Sequence, residues 1–270
     1  MPPSLPPSEP PSNPPKDSTQ SATAKLNASR ISLILVAHGS TRRPDAAFAV
    51  CRHAEEIRLR GIFADVDAAF LMGGRSPDEA AAAVKTDTVI LVPFMMIDGY
   101  LAGRAEALLR DGLKAHGRTA TVRTSEAVGT HPRIAGLAAD IGLQVLTDRG
   151  LSAKAATLIT VAHGSLRYPY SHIAAKAQTD AITFENRFKA VRLALLEEPP
   201  HLDAVLASTN GPAAVVGLFA APGGHALDDV GDAIAASGRY DLFDGGPVGL
   251  SASMSDIAIA RAFEVINATE

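Results

Sequence analysis

Two histidines and a glutamate, His163, Glu197 and His225, each stand where an apolar stretch in the second half of the chain gives out. Two imidazoles and a carboxylate make a mixed nitrogen and oxygen donor set suited to Fe²⁺, Co²⁺, Ni²⁺ or Zn²⁺. Three protein donors leave coordination positions open, as a catalytic or transfer site requires. Neutral imidazoles also accept protons near neutral pH. The three residues are far apart in the chain, with no His-x-x-His spacing to fix their geometry. Only a fold that gathers strand ends brings them together. Each also has a plainer reading: a lone strand-end histidine can be a polar cap, and Glu197 precedes Glu198 and Pro199-Pro200, which can simply end a strand.

The elements that must position them read as alternating strands and helices. Ile31 to Ala37 is an almost continuous apolar run that stops at His38-Gly39-Ser40, the pattern of a strand covered on both faces. A helix from about Pro44 to Leu59, a strand Val66 to Leu71 and an alanine-rich helix opening at Ser76-Pro77-Asp78-Glu79 follow. Ser76 is a suitable N-cap, with Pro77 first in the helix and Glu79 closing a capping box. A strand Thr88 to Phe94, a helix Leu101 to His116, a strand Thr119 to Val122 and a helix Pro132 to Leu146 complete the set. Alternation of this kind predicts an α/β fold with parallel sheets, which bind ligands beyond the carboxyl ends of their strands.

The same order then repeats. Val-Ala-His-Gly-Ser occurs at 36–40 and again at 161–165, an offset of 125. At the same offset Ala69-Phe70-Leu71 faces Ala194-Leu195-Leu196, and Val92-Pro93-Phe94 faces Gly217-Leu218-Phe219. Two similar three-layer α/β/α halves, 30–150 and 151–270, are expected to face each other across a cleft. In the first half the counterparts of His163, Glu197 and His225 are His38, Met72 and Tyr100, so only His38 remains as a candidate metal ligand there. Residues 1–29, with eight of the eighteen prolines in the first fifteen positions, read as a disordered Pro/Ser-rich tail.

Composition limits the function classes. A formal charge of −4 argues against nucleic-acid partners, and no apolar run is long enough to cross a bilayer. The single cysteine, Cys51, excludes an internal disulfide and a cysteine-based zinc cluster, and a cytoplasmic location is expected. Cys51 reads as a core residue, His53, His116, His172 and His201 as surface groups, and His131 as a neighbour of a helix cap. No Gly-x-x-x-x-Gly-Lys-Ser/Thr loop is present, so no nucleotide is expected.

The chain resembles the sirohydrochlorin chelatase family of CbiX type. The resemblance rests on the strand ending in Val-Ala-His-Gly-Ser, the Leu-Leu-Glu strand end before a proline-led helix, and Gly223-Gly224-His225-Ala226-Leu227-Asp228-Asp229-Val230. It implies two tandem chelatase-like copies, the first with a degenerate site, because Met72 and Asp98-Gly99-Tyr100 replace the glutamate and the second histidine. It further implies that His163 and His225 hold a divalent metal, Co²⁺ or Fe²⁺ with Ni²⁺ also compatible, and that Glu197 assists. The implied reaction is ATP-independent insertion of that metal into sirohydrochlorin or a related precorrin, in cobalamin or sirohaem biosynthesis. A flat tetrapyrrole bearing several carboxylates needs cations at the rim. Arg42, Arg43 and Arg167 are candidates together with Ser165 and Gly224, and Arg75, Arg104 and Lys176 are further candidates. The enzyme is expected as a monomer or homodimer. A non-enzymatic metal or tetrapyrrole carrier derived from a chelatase is the alternative. A histidine phosphatase fits less well, since Ala37 and Ala162 stand where an arginine would precede the His-Gly pair.

Overall fold

The computed structural model describes residues 27–41, 45–167, 169–223 and 228–268. Arg42, Arg43, Gly224, His225 and all but the last three residues of the expected tail lie outside them. Asn27 and Ala28 form a helical turn, and Ala28 is fully buried, so packed structure starts ahead of residue 30.

The first half carries β1 (Ile31–Gly39), α1 (Asp45–Leu59), β2 (Asp65–Met72), α2 (Pro77–Ala81), β3 (Thr88–Pro93), α3 (Tyr100–Ala115), β4 (Thr121–Thr124) and α4 (Arg133–Thr147). The second repeats it: β5 (Thr157–Ala162), α5 (Tyr170–Phe184), β6 (Ala190–Leu195), α6 (Leu202–Ala207), β7 (Ala213–Gly217), α7 (Val230–Ala236), β8 (Leu242–Pro247) and α8 (Ser253–Asn267). The sheets run β2-β1-β3-β4 and β6-β5-β7-β8, parallel throughout. Both repeat-start strands are therefore interior. The Ser76 cap is complete: its hydroxyl accepts from the Glu79 N–H, and the Glu79 carboxylate accepts from the Ser76 N–H.

Period-two alternation explains why β1 reads as unbroken apolar sequence. Leu33, Leu35 and Ala37 enter a core between the two sheets, while Ile34 and Val36 enter an outer core with Ala80, Ala81, Leu109 and Leu113. In the second half Leu158 enters the shared core, and Ile159 and Val161 join Leu202, Val205 and Leu206 outside. The two halves thus meet through one continuous apolar core. Their last helices are exchanged: α4 packs on β5, β7 and β8, whereas α8 packs on β3 and α1. Each sheet gains its inner helical layer partly from the other half.

Three details differ from the sequence reading. The last strand of the first half is displaced to Thr121–Thr124, because Arg123 and Thr124 pair with Ile90 and Leu91 despite their polarity. The third strands align at an offset of 124: Val36 pairs with Pro93, and Val161 with Gly217. Cys51 is exposed, while Val50, His53, Ala54 and Ile57 form the inward stripe of α1 at the i, i+3, i+4, i+7 spacing. His53 is consequently buried, not a surface group. Its Nε2 lies 2.8 Å from the Gly249 carbonyl and its Nδ1 3.0 Å from the Ser255 hydroxyl, both in the second half.

That contact has a pseudo-twofold partner. Gln178, at the position of His53 plus 125, donates from Nε2 to the Gly129 carbonyl at 3.1 Å. Helices α1 and α5 each reach across to the turn after the other half's last strand.

Candidate functional site

His163 follows the last residue of β5 and its side chain is exposed. Its Nδ1 lies 2.8 Å from the Gly164 carbonyl oxygen. A carbonyl only accepts, so Nδ1 carries the proton and donates it, leaving the ring lone pair on Nε2. Such a backbone bond fixes both tautomer and ring orientation, the device that readies an imidazole as a ligand. The turn requires glycine: Gly164 has φ +72°. His38 is built identically, with Nδ1 2.9 Å from the Gly39 carbonyl and Gly39 at φ +72°.

The surroundings of the two histidines differ. In the first half the residues after β3, Met95 to Leu101, contain no imidazole. Asp98 is committed to structure, accepting from the Ala127 N–H at 2.6 Å and facing the Thr130 hydroxyl at 3.4 Å. Because the third strands align at 124, Tyr100 matches Gly224 by strict count, not His225 as the uniform offset suggested.

In the second half the Glu197 N–H donates to the His163 carbonyl at 2.9 Å, so the two backbones adjoin, and Glu197 itself is exposed. Its neighbour Glu198 makes the side-chain contacts. Glu198 Oε1 accepts from the Ser165 N–H at 2.8 Å, and Oε2 faces His172 Nδ1 at 3.4 Å. The Ser165 bond, then the hydrogen bond and charge from His172, hold the Glu198 carboxyl below the usual carboxylate range. His172 is half-buried in this contact, not a solvated surface group. Nothing in the local sequence marks this pairing, which depends on how the strand end and α5 meet.

Beside His163 a pocket of about 70 Å³ opens between the halves. Met96, Ile97 and Gly129 contribute from the first half, and Ala162, His163, Gln178 and Phe219 are among those from the second. It has room for a few waters. Three apolar side chains stand exposed nearby in sequence, Leu166 (81%), Tyr170 (66%) and Ile173 (60%).

Of the expected rim cations, Arg167 is exposed, and its backbone N–H donates to the Ser165 hydroxyl at 3.3 Å. Arg75 is engaged by the Asp67 carboxylate and the Glu79 carbonyl, and Lys176 pairs with Asp180 at 2.6 Å. His131 accepts from the Arg133 N–H at 3.1 Å, consistent with its place at a helix start. His116 and His201 are exposed. Among the described residues no three His, Cys, Asp or Glu side chains cluster as a metal cage; the set read from the sequence includes His225, outside them. Nor is any described helix long and apolar enough to cross a membrane.

Comparison with known proteins supports the fold. Residues 32–141 match the CbiX family. A probable sirohydrochlorin cobaltochelatase of Halobacterium salinarum is 34% identical over 68 residues, a stretch covering 25% of this chain and 23% of that relative. The solved structure of CbiX, the terminal enzyme for biosynthesis of siroheme in denitrifying bacteria, aligns with TM-score 0.69 and 22% identity, covering 89% of this chain and all of that one. DR2241 from Deinococcus radiodurans, a multi-domain protein with structural similarity to chelatases, aligns with TM-score 0.72 and 23% identity, covering 87% of this chain and 55% of that one. The fold is chelatase-like in both halves.

Proposed function

We propose that this chain, with a CbiX-family segment at 32–141 and the same chelatase-like fold in both halves, inserts a divalent metal into sirohydrochlorin or a related precorrin without ATP. The observation that carries the proposal is the His163 turn, which directs the ring lone pair to Nε2 at the strand end. His163 and His225 hold the incoming Co²⁺ or Fe²⁺ and pass it to the ring nitrogens. Insertion also releases two pyrrole protons, and Glu197 and the imidazoles are the bases at hand. Exposed Leu166, Tyr170 and Ile173 supply apolar area for a flat macrocycle, and Arg167 a partner for its carboxylates. Cobalt is supported by the cobaltochelatase relative and iron by the sirohaem enzyme of similar fold.

The assignment to the second half rests on its donor set. The family match covers the first half, yet His38 there stands without a second imidazole or a glutamate at the corresponding strand ends. Anaerobic incubation of the pure protein with sirohydrochlorin and Co²⁺, Fe²⁺ or Ni²⁺ tests the reading by absorption spectroscopy. Many turnovers per protein above the uncatalysed rate, with at least one metal, are expected. Stoichiometric uptake without turnover would instead indicate a carrier.

A further inference from the structure

The bond that orients His163 is made to a peptide unit held from its other side. The Gly164 carbonyl that accepts the His163 proton and the Ser165 N–H that donates to Glu198 belong to one peptide group. A peptide plane is rigid, so fixing its N–H fixes the direction of its C=O. A carboxylate accepting from the N–H also polarises the carbonyl, strengthening it as an acceptor. Glu198 lies over the turn: a Cβ added to Gly164 would stand 2.9 Å from Glu198 Cγ. His172 faces the other carboxylate oxygen.

The two side chains of this arrangement have no counterparts in the first-half sequence. Gly73 stands at the position of Glu198 and Ala47 at that of His172. There the backbone itself closes the turn, since a Cβ on Gly73 would stand 2.2 Å from the Ser40 carbonyl oxygen. The carboxylate–imidazole pair thus occurs in the half that also carries Glu197 and His225.

We propose that Glu198, braced by His172, is a positioning residue for His163: through the Gly164–Ser165 peptide it keeps the His163 proton on Nδ1 and the lone pair on Nε2. The catalytic part of this inference rests on the function proposed above, but the tautomer does not.

The test uses full-length, metal-free protein with ¹⁵N-labelled histidine, at about pH 8, above the ordinary imidazole range. Long-range ¹H–¹⁵N spectra are expected to show His163 as the Nδ1–H tautomer in the wild type. Glu198→Ala shifts it toward a mixture with Nε2–H, while His38, with the same backbone bond but glycine at the position of Glu198, stays unchanged as the internal reference. Glu198→Gln, whose carbonyl oxygen still accepts from Ser165, restores the wild-type signal. Glu198→Asp, with the acceptor withdrawn by one methylene, serves should the alanine variant not fold, and is expected to shift His163 in the same direction. In insertion assays Glu198→Ala lowers kcat at least tenfold with little change in the KM for the tetrapyrrole, and glutamine recovers most of it. An unchanged His163 tautomer in a folded Glu198→Ala or Glu198→Asp protein overturns the positioning role, whatever the activity. A shifted tautomer in a protein whose wild type inserts no metal supports the positioning role and overturns the chelatase reading instead.

Discussion

His163 lies past the end of a fully buried strand, with its own side chain in solvent. Truncating it therefore removes chemistry without opening a cavity. Glu197 is exposed as well, and its contribution as a proton acceptor is separable from metal holding. Glu197→Gln should slow insertion by about 100-fold, the bottom of the range for losing a general base, while leaving the melting temperature unchanged. A larger loss accompanied by weaker metal binding would make Glu197 a ligand first. His163 was legible because a β-strand pattern ends on it and its pentapeptide recurs. Glu198 and His172 were not, because neither spacing nor periodicity encodes a contact between a loop carboxylate and the first turn of a helix. His53 was readable in principle, since it occupies the i+3 position of the apolar stripe of α1.

At the scale of elements, the exchanged helices and the turns beneath them join the halves. A Cβ added at Gly249 would stand 2.1 Å from the Ala220 carbonyl oxygen, in backbone that has little room to yield. Gly249→Ala should therefore destabilise by about 1–3 kcal/mol, as overpacking does. Gly136, inside α4 with nothing within 4 Å, is the contrast: Gly136→Ala should be neutral or stabilising by up to about 1 kcal/mol. Denaturant titrations of the two variants check both signs. The parallel sheets and the interior place of β1 and β5 followed from alternation and doubly apolar runs. The exchange of α4 and α8 did not, since amphipathic helices show which face is buried but not whose sheet they cover.

For the molecule as a whole, the seam between the halves carries a dependence on pH. Burial pushes the His53 imidazole below its ordinary range, outweighing the Gly249 carbonyl and the Glu56 carboxylate, which raise it; Arg52 lowers it further. Burial and Arg261 likewise lower His131, against Glu264. A histidine depressed in the fold takes up its proton at higher pH when unfolded. Its stabilising contribution is complete above about pH 6.5 and is lost as pH falls from there through the folded value. Melting temperature should thus fall on acidification below that point. His53→Gln places at this position the residue its pseudo-twofold counterpart Gln178 already uses, keeping a donor for the Gly249 carbonyl without a titrating group. The variant should flatten the fall in melting temperature, and an unaltered pH profile would remove His53 from the seam's response.

The twofold likeness of the chain also sets the sharpest comparison available. His38 and His163 share a strand end, a turn and a backbone bond, and differ in their companions. Initial rates of metal insertion into sirohydrochlorin, measured for His38→Ala and His163→Ala after subtraction of the uncatalysed reaction, test the assignment to the second half directly. The account predicts that His163→Ala falls to background while His38→Ala keeps most of the wild-type rate. Loss in His38→Ala with activity retained in His163→Ala would contradict it.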